Sequence, residues 1–198
     1  NKFSKFKKIS FGAQNVSHFK EGAQTGEISV NMLNELLCKY CIVGHSERRN
    51  NYQETNGLIN KKIKKLMAEN IVPILCVGES YEARKNNMSE DVIKSQLSES
   101  LDSINMHDKN KTIFIAYEPI WAIGRGKSAK KEDISNMNSV IRSHMITLGF
   151  NIEQFYILYG GSVDINNVLI LKKATYLNGF LIGGASLNAH NFCSIIKK

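Results

Sequence analysis

The stretch Ile113-Phe114-Ile115-Ala116-Tyr117-Glu118-Pro119-Ile120-Trp121-Ala122-Ile123-Gly124 holds most of what decides the fold. Its first five residues are apolar without alternation, the pattern of a strand covered on both faces, as the strands of a parallel sheet are. Glu118 then stands at the strand's end and Pro119 closes it. Working outward, similar runs recur at residues 9–12, 40–44, 71–78, 156–160 and 179–183, each short and rich in β-branched or aromatic types. Longer segments with helical spacing lie between them. Leu58, Ile59, Ile63, Leu66 and Met67 form one apolar stripe, Val92, Ile93, Leu97 and Leu101 a second, and Ile134, Met137, Val140, Ile141 and Met145 a third. Leu148-Gly149 reads as a helix end. This alternation predicts an α/β protein with a parallel sheet, and no linker, low-complexity tract or composition break divides it. The two prolines, Pro73 and Pro119, fall near strand ends, where a missing donor is tolerated.

Composition narrows the function classes. With 42% hydrophobic and 22% charged residues in 198, the chain is of globular type. No apolar run approaches the ~20 residues of a membrane span, so no membrane partner is expected. The 26 Lys+Arg against 18 Asp+Glu give a net charge of +8, which suits an anionic ligand, a membrane surface or nucleic acid. The lysines are scattered, however, as at Lys61, Lys62, Lys64, Lys65, Lys130, Lys131, Lys172 and Lys173, and no nucleic-acid motif interrupts them. They read as solvated helix faces, with no nucleic-acid partner. Of the four cysteines, Cys38 and Cys41 form a lone C-x-x-C without the second pair or nearby histidines of a zinc site. Reduced structural thiols and no metal are expected. Residues 1–8 are basic and polar without an apolar centre, so no secretory signal is expected, and the chain opens on Asn1 rather than Met, leaving room for a segment upstream.

The polar chemistry gathers just after the strands: Gly12-Ala13-Gln14-Asn15, Gly44-His45-Ser46-Glu47-Arg48-Arg49, Gly78-Glu79, Glu118-Pro119, Gly160-Gly161-Ser162 and Gly183-Gly184. In parallel α/β folds ligands bind beyond the carboxyl ends of the strands, so these clusters face a common site. His45 precedes a segment able to start a helix, whose positive end depresses the imidazolium and favours a neutral, hydrogen-bond-donating ring. A structural hydrogen-bonding histidine is the other reading. Glu118, half withdrawn from water, is able to abstract a carbon-bound proton; a strand-end ion pair is the alternative. Residues 119–127 read as a loop with an apolar tip between a proline and glycines, able to close over a ligand, or as a surface turn holding a core tryptophan. The glycine turns at 160–162 and 183–187 let backbone N–H groups approach an anion closely. Their place in the last two strand-to-helix turns is that of phosphate sites in (β/α)8 barrels.

Taken jointly, several strings resemble the triosephosphate isomerase family: Gly44-His45-Ser46-Glu47-Arg48-Arg49, residues 116–124, Tyr159-Gly160-Gly161-Ser162-Val163 and residues 179–187, with Gly12-Ala13-Gln14-Asn15, Thr25-Gly26-Glu27 and Cys76-Val77-Gly78-Glu79 in matching order. The resemblance spans almost the whole chain. It implies an α/β (β/α)8 TIM barrel, here N-terminally incomplete with about six strands, residues 1–198 forming a single partial domain of the family's units three to eight. It implies an isomerase interconverting D-glyceraldehyde 3-phosphate and dihydroxyacetone phosphate by proton transfer through an enediolate, in glycolysis and gluconeogenesis, with no cofactor. Glu118 is then the base that moves the proton, His45 a neutral electrophile and Glu47 a further acid of the site. Gly124, Ser162, Gly183 and Gly184 hold the phosphate of the small triose substrate. Pro119, Trp121, Lys127 and Tyr159 serve loop closure, Ser162 assisting Tyr159 as a latch. Thr25, in the loop of residues 15–29, reaches a second subunit, so a homodimer is expected for the intact protein, in the cytoplasm or alternatively a plastid.

Departures from the family set further expectations. Its first strand ends in an Asn-x-Lys motif; no such strand-end segment is found here, and Lys2, Lys5, Lys7 and Lys8 cannot stand in for its lysine because they precede the family's third strand. The chain alone is therefore expected to be weakly active or inactive, with a non-catalytic phosphate-binding remnant of the family as the alternative. Gln24 stands at a commonly aromatic position and Arg125 where threonine is usual. Tyr176 and Asn178 replace two acids, which predicts that Arg142 loses its ion-pair partner.

Overall fold

The computed structural model describes residues 8–20, 22–104, 111–122 and 128–198. Six parallel strands form one sheet: β1 (Phe11–Ala13), β2 (Cys38–Val43), β3 (Val72–Val77), β4 (Ile113–Tyr117), β5 (Phe155–Tyr159) and β6 (Gly179–Phe180). Each pairs with its chain neighbour, giving the order β1-β2-β3-β4-β5-β6 without reversal. Parallel neighbours need crossovers of one hand. Without a reversal all the crossovers lie on one side and the sheet curls toward a barrel, rather than staying open with helices on both faces.

The crossovers are built from α1 (Val30–Glu35), α2 (Ser46–Tyr52), α3 (Asn56–Ala68), α4 (Tyr81–Lys85), α5 (Ser89–Ser100), α6 (Lys131–Thr147), α7 (Val168–Leu171) and α8 (Ala189–Ile196). Local chemistry sets their ends. The hydroxyls of Ser29, Thr55 and Ser80 accept backbone N–H groups at the starts of α1, α3 and α4. Gly149, at φ +89°, follows the end of α6, as its sequence position predicts. The three helical stripes do enter the core: Ile59, Ile63, Leu66, Ile93, Leu97, Ile134, Ile141 and Met145 are buried there, while Leu58, Val92 and Val140 lie at the margin.

Period-two alternation sorts the strand residues. Leu75, Val77, Ile113, Ile115, Tyr117, Ile157 and Tyr159 belong to the large core shared with the helices, whereas Cys76, Ala116 and Leu158 form a small cluster on the other face with Ile42, Ile74, Phe114 and Leu181. That inner face is only partly covered. Tyr40 meets Phe114 edge-on at 5.7 Å and Phe114 stacks on Tyr156 at 5.3 Å, yet Tyr156 is 39% exposed. Strands covered on both faces, as the apolar runs predicted, are thus found for β3 and β4 toward their carboxyl ends and not at the amino end of β5.

Other boundaries also move. β1 starts at Phe11, Ile9 being exposed, and β6 keeps two paired residues where five were predicted. Leu181 still donates to Tyr159 O at 2.9 Å, after which the chain turns into the glycines. Pro73 sits opposite Cys41 in β2, and the ladder to β4 begins one residue later at Ile74, so the missing donor falls outside it. All four cysteines are free.

Candidate active site

Glu118 continues the inner row Phe114, Ala116 of β4, and so its side chain turns toward the concave side of the sheet. It is 1% exposed. Oε2 accepts the backbone N–H of Ser46 at 2.9 Å, the first residue of α2. His45 caps that helix, its Nδ1 accepting the Glu47 N–H at 3.3 Å, which leaves Nε2 as the protonated nitrogen of the neutral ring. Nε2 lies 2.8 Å from Glu118 Oε1. That approach is close without being a well-directed hydrogen bond; Oε1 is sealed from solvent and has no hydrogen-bond partner among the described residues.

The helix end was expected to depress the imidazolium. The opposite direction holds: the neighbouring Glu118 carboxylate raises the His45 pKa above its ordinary 6.5, outweighing burial, with Glu47 adding a smaller push the same way. The sequence could not weigh a carboxylate that arrives from two strands away. Glu47 itself is exposed, its Oε2 3.9 Å from His45 Nδ1.

His45 and Glu118 share the wall of a cavity of about 790 Å³ with Gln14, Asn15, Glu47 and Arg48 on one side and Gly160, Gly161, Ser162, Gly183 and Gly184 on the other. The glycines differ in what holds them. A Cβ on Gly160 would come within 2.9 Å of Glu118 Cγ, and one on Gly161 within 2.3 Å of the Tyr159 hydroxyl. Gly183 and Gly184 face open space, and a short 3-10 turn, Gly184–Leu187, follows them. After Ser162, in contrast, the next helix begins only at Val168, beyond a turn in which Asp164 Oδ1 accepts the N–H groups of Asn166 and Asn167.

The loop after β4 is pinned at both described ends. Pro119 is buried, and Ile120–Ala122 form a 3-10 turn that presents Trp121 Nε1 to Glu79 Oε1 at 2.7 Å. Beyond it, the Ala129 N–H donates to the Tyr159 hydroxyl at 3.3 Å. Gly124, Arg125 and Lys127 lie outside the described residues. Thr25 is exposed and is not among the residues lining the cavity, in a loop closed at its base by Ser17 N–H donating to Ile28 O at 2.9 Å.

Sequence reasoning missed a buried ion network under this wall. Glu54, 5% exposed, meets Arg48 Nε at 2.6 Å and Lys62 Nζ at 2.5 Å, and Lys62 also donates to Asn15 Oδ1 at 2.7 Å. Lys62 is 3% exposed, so the reading of its lysine run as wholly solvated is corrected: it falls on the buried stripe of α3. Glu79 is fully buried, a placement that its position in the Cys76-Val77-Gly78-Glu79 motif does not disclose; its Oε1 takes Tyr117 OH at 3.0 Å as well as Trp121. Arg142, predicted to be stranded, lies over the Tyr176 ring at 4.6 Å, and Asn178 Oδ1 accepts the Ile157 N–H at 2.8 Å. Both replacements of the expected acids are therefore employed. Among the described residues, no three His, Cys, Asp or Glu cluster as a metal site, and no helix is long and apolar enough to cross a membrane.

Parallel strands in sequential order, curling with their polar residues gathered at the carboxyl ends, define a barrel protein of the TIM class, six of whose strands are present here. A family model described as triosephosphate isomerase matches residues 1–198. The triosephosphate isomerase of Nitrosococcus oceani is 46% identical over 190 residues, covering 96% of this chain and 76% of that protein. That of Dictyoglomus thermophilum is 46% identical over 192 residues, with the same shares covered. The crystal structure of triosephosphate isomerase from Bartonella henselae superposes with a TM-score of 0.85 at 37% identity, over 96% of this chain and 76% of that one. The chain belongs to the triosephosphate isomerase family.

Proposed function

We propose that this chain carries the machinery for interconverting D-glyceraldehyde 3-phosphate and dihydroxyacetone phosphate through an enediolate. The observation that carries the reading is the 2.8 Å approach of His45 Nε2 to the sealed Glu118 carboxylate on the cavity wall. Glu118 leaves Ser46 and His45 to take the proton from the carbon next to the carbonyl and returns it to the neighbouring carbon. Its departure removes the main influence raising the imidazole pKa, and Nε2–H, held in that tautomer by the Glu47 N–H, is then free to polarise each carbonyl oxygen in turn. Glu47, at the cavity rim, acts at longer range. Ser162, Gly183, Gly184 and Gly124 bind the phosphate by backbone N–H groups. Pro119, Trp121 and Lys127 belong to the closing loop and Tyr159 latches it, keeping water from the enediolate.

Residues 1–198 act as one partial-barrel domain, a reading supported by the single sheet running from β1 to β6. The intact protein works as a homodimer in the cytoplasm. The exposed Phe19 and Ile28 in the loop that carries Thr25, and Met32 in the helix after it, supply apolar surface for a second copy; sedimentation of an N-terminally extended chain tests this.

The activity test is a coupled isomerase assay. The 198-residue chain alone is expected to turn over little, because among the described residues β1 and β6 do not pair to close the sheet. In a chain extended by the N-terminal portion its relatives carry, Glu118→Gln is expected to lower turnover at least ~10²-fold while inorganic phosphate still binds. Near-unchanged turnover of that variant would overturn the role of Glu118.

A further inference from the structure

Arg49 belongs to the motif that carries His45, yet it does not line the cavity. Its guanidinium spans three neutral acceptors: Nε donates to Gly44 O at 2.7 Å, Nη2 to Cys76 O at 3.0 Å and Nη1 to Asn56 Oδ1 at 2.5 Å. Among the described residues no carboxylate stands within ion-pair distance of it. A half-buried cation without a counterion is costly unless its donors are well used.

The ladder explains the use. Pairing between β2 and β3 ends at Val43 and Leu75, because Gly44, at φ +69°, turns the chain away into His45 and α2. At the end of β3, Val77 O points toward β4 and accepts the Glu118 N–H at 2.8 Å. Cys76 O, one residue earlier, points the other way, toward the place where β2 has already left. Arg49 fills that gap, joining Cys76 O to Gly44 O.

We infer that Arg49 is a positioning residue that replaces the missing ladder rung, so that the last two carbonyls of β3 serve as a common reference for His45 on one side and Glu118 on the other. The spacing of the pair is thereby set by backbone, through a planar fork that Lys cannot imitate. The inference rests on the roles given above to His45 and Glu118, but it concerns where the ring stands rather than turnover.

The test uses the 198-residue chain and NMR of ¹⁵N-labelled histidine, with His45 assigned by substitution. The charged groups acting on the ring are Glu118 from the end of β4 and Glu47 from its own helix. The quantity read is the change in His45 titration midpoint on Glu118→Gln, in the parent and in Arg49→Met. A clamp that sets the spacing predicts that this change shrinks by roughly half or more in Arg49→Met, the two sites being coupled through the turn. Arg49→Lys keeps the charge and loses the fork, and the same shrinkage is expected of it; it also decides the matter if Arg49→Met does not fold. A change as large as the parent's in either folded variant overturns the inference. Failure of the isomerase reading would show in the turnover of Glu118→Gln and leave this measurement unaffected.

Discussion

Trp121 Nε1 donates to Glu79 Oε1 at 2.7 Å, tying the loop after β4 to the end of β3. The same oxygen takes the Tyr117 hydroxyl, while Oε2 is buried with no hydrogen-bond partner among the described residues. Burial pushes the Glu79 carboxyl up, and hydrogen bonds from Trp121, from its own backbone N–H and from Tyr117, with the Arg84 charge beyond them, oppose that push without cancelling it. The anchor of the loop is thus a carboxyl placed where only its donors justify it.

Glu79→Ala should strand both donors. Each unsatisfied buried group costs about 1–3 kcal/mol, Trp121 at the lower end because it is only partly buried. A fall in the urea midpoint is expected, together with a red shift in emission from the chain's one tryptophan. Emission and midpoint both unchanged would count against the anchor.

The His45 pair makes a prediction about pH. Because the folded ring binds its proton more tightly than an ordinary imidazole, its contribution to stability is complete below the unfolded value near 6.5 and is lost as pH rises through the folded one. In Glu118→Gln the leading cause of the rise is gone and burial pulls downward, so the ring's NMR titration midpoint should drop and the alkaline loss of stability should fade. A midpoint that stays where it was would show that another group holds the proton.

The Arg48-Glu54-Lys62 network predicts an acid limb. Burial pushes the Glu54 carboxyl up, but Lys62 and Arg48 together overcome it and hold the group below its ordinary 4.5. The stability it contributes is therefore present above that value and lost as pH falls through the folded one. Glu54→Leu leaves Lys62 as an uncompensated buried cation and should cost about 3–5 kcal/mol in denaturant unfolding. The double variant Glu54→Leu with Lys62→Met should recover most of that loss, since Arg48 is exposed enough to reach water. Equal losses in single and double variants would mean that packing, not charge, is at stake.

These two sites mark how far the sequence could be read. The strands follow from short continuous apolar runs, the helix stripes from a period of 3.6 and the glycine turns from backbone needs local to them, whereas the sequential strand order rests on the family resemblance and the inward placement of Glu118 on the structure. His45 and Glu118 could be named from their motifs, but their mutual distance depends on β3 standing between β2 and β4, a register that no local pattern encodes. Lys62 was hidden for another reason. It sits among Lys61, Lys64 and Lys65, and only helical phase separates the one that points inward from the three that do not. The phase set by the apolar residues of α3 places Lys62 on the same buried stripe, between Ile59 and Leu66.

Gly160 offers a steric test of the carboxylate's seat. A methyl at that position would stand 2.9 Å from Glu118 Cγ, which is fixed from the other side by the Ser46 N–H. Gly160→Ala should displace the carboxylate and cost about 1–3 kcal/mol of stability. It should move the His45 midpoint in the same direction as Glu118→Gln. Gly161→Ala collides instead with the Tyr159 hydroxyl and should disturb the loop's Ala129 contact more than the His45 titration. Identical titration effects from the two variants would argue against so local a fit.

Tyr176 stands where the resemblance led us to expect an acid, and its backbone makes the exchange testable. It lies at φ +57°, a left-handed conformation that Asp and Asn adopt more readily than Tyr does. Its ring is 48% exposed, so its contact with Arg142 should be worth only ~0.5–1 kcal/mol. Tyr176→Ala should lose about that much. Tyr176→Asp removes the same ring but relieves the backbone and offers Arg142 a carboxylate, so thermal unfolding should find it at least as stable as the parent. The advantage over Tyr176→Ala should diminish with salt, as for any exposed ion pair. If Asp proves no better than Ala at low salt, Arg142 does not reach that position, and the aromatic contact has taken over the site's geometry as well as its energy.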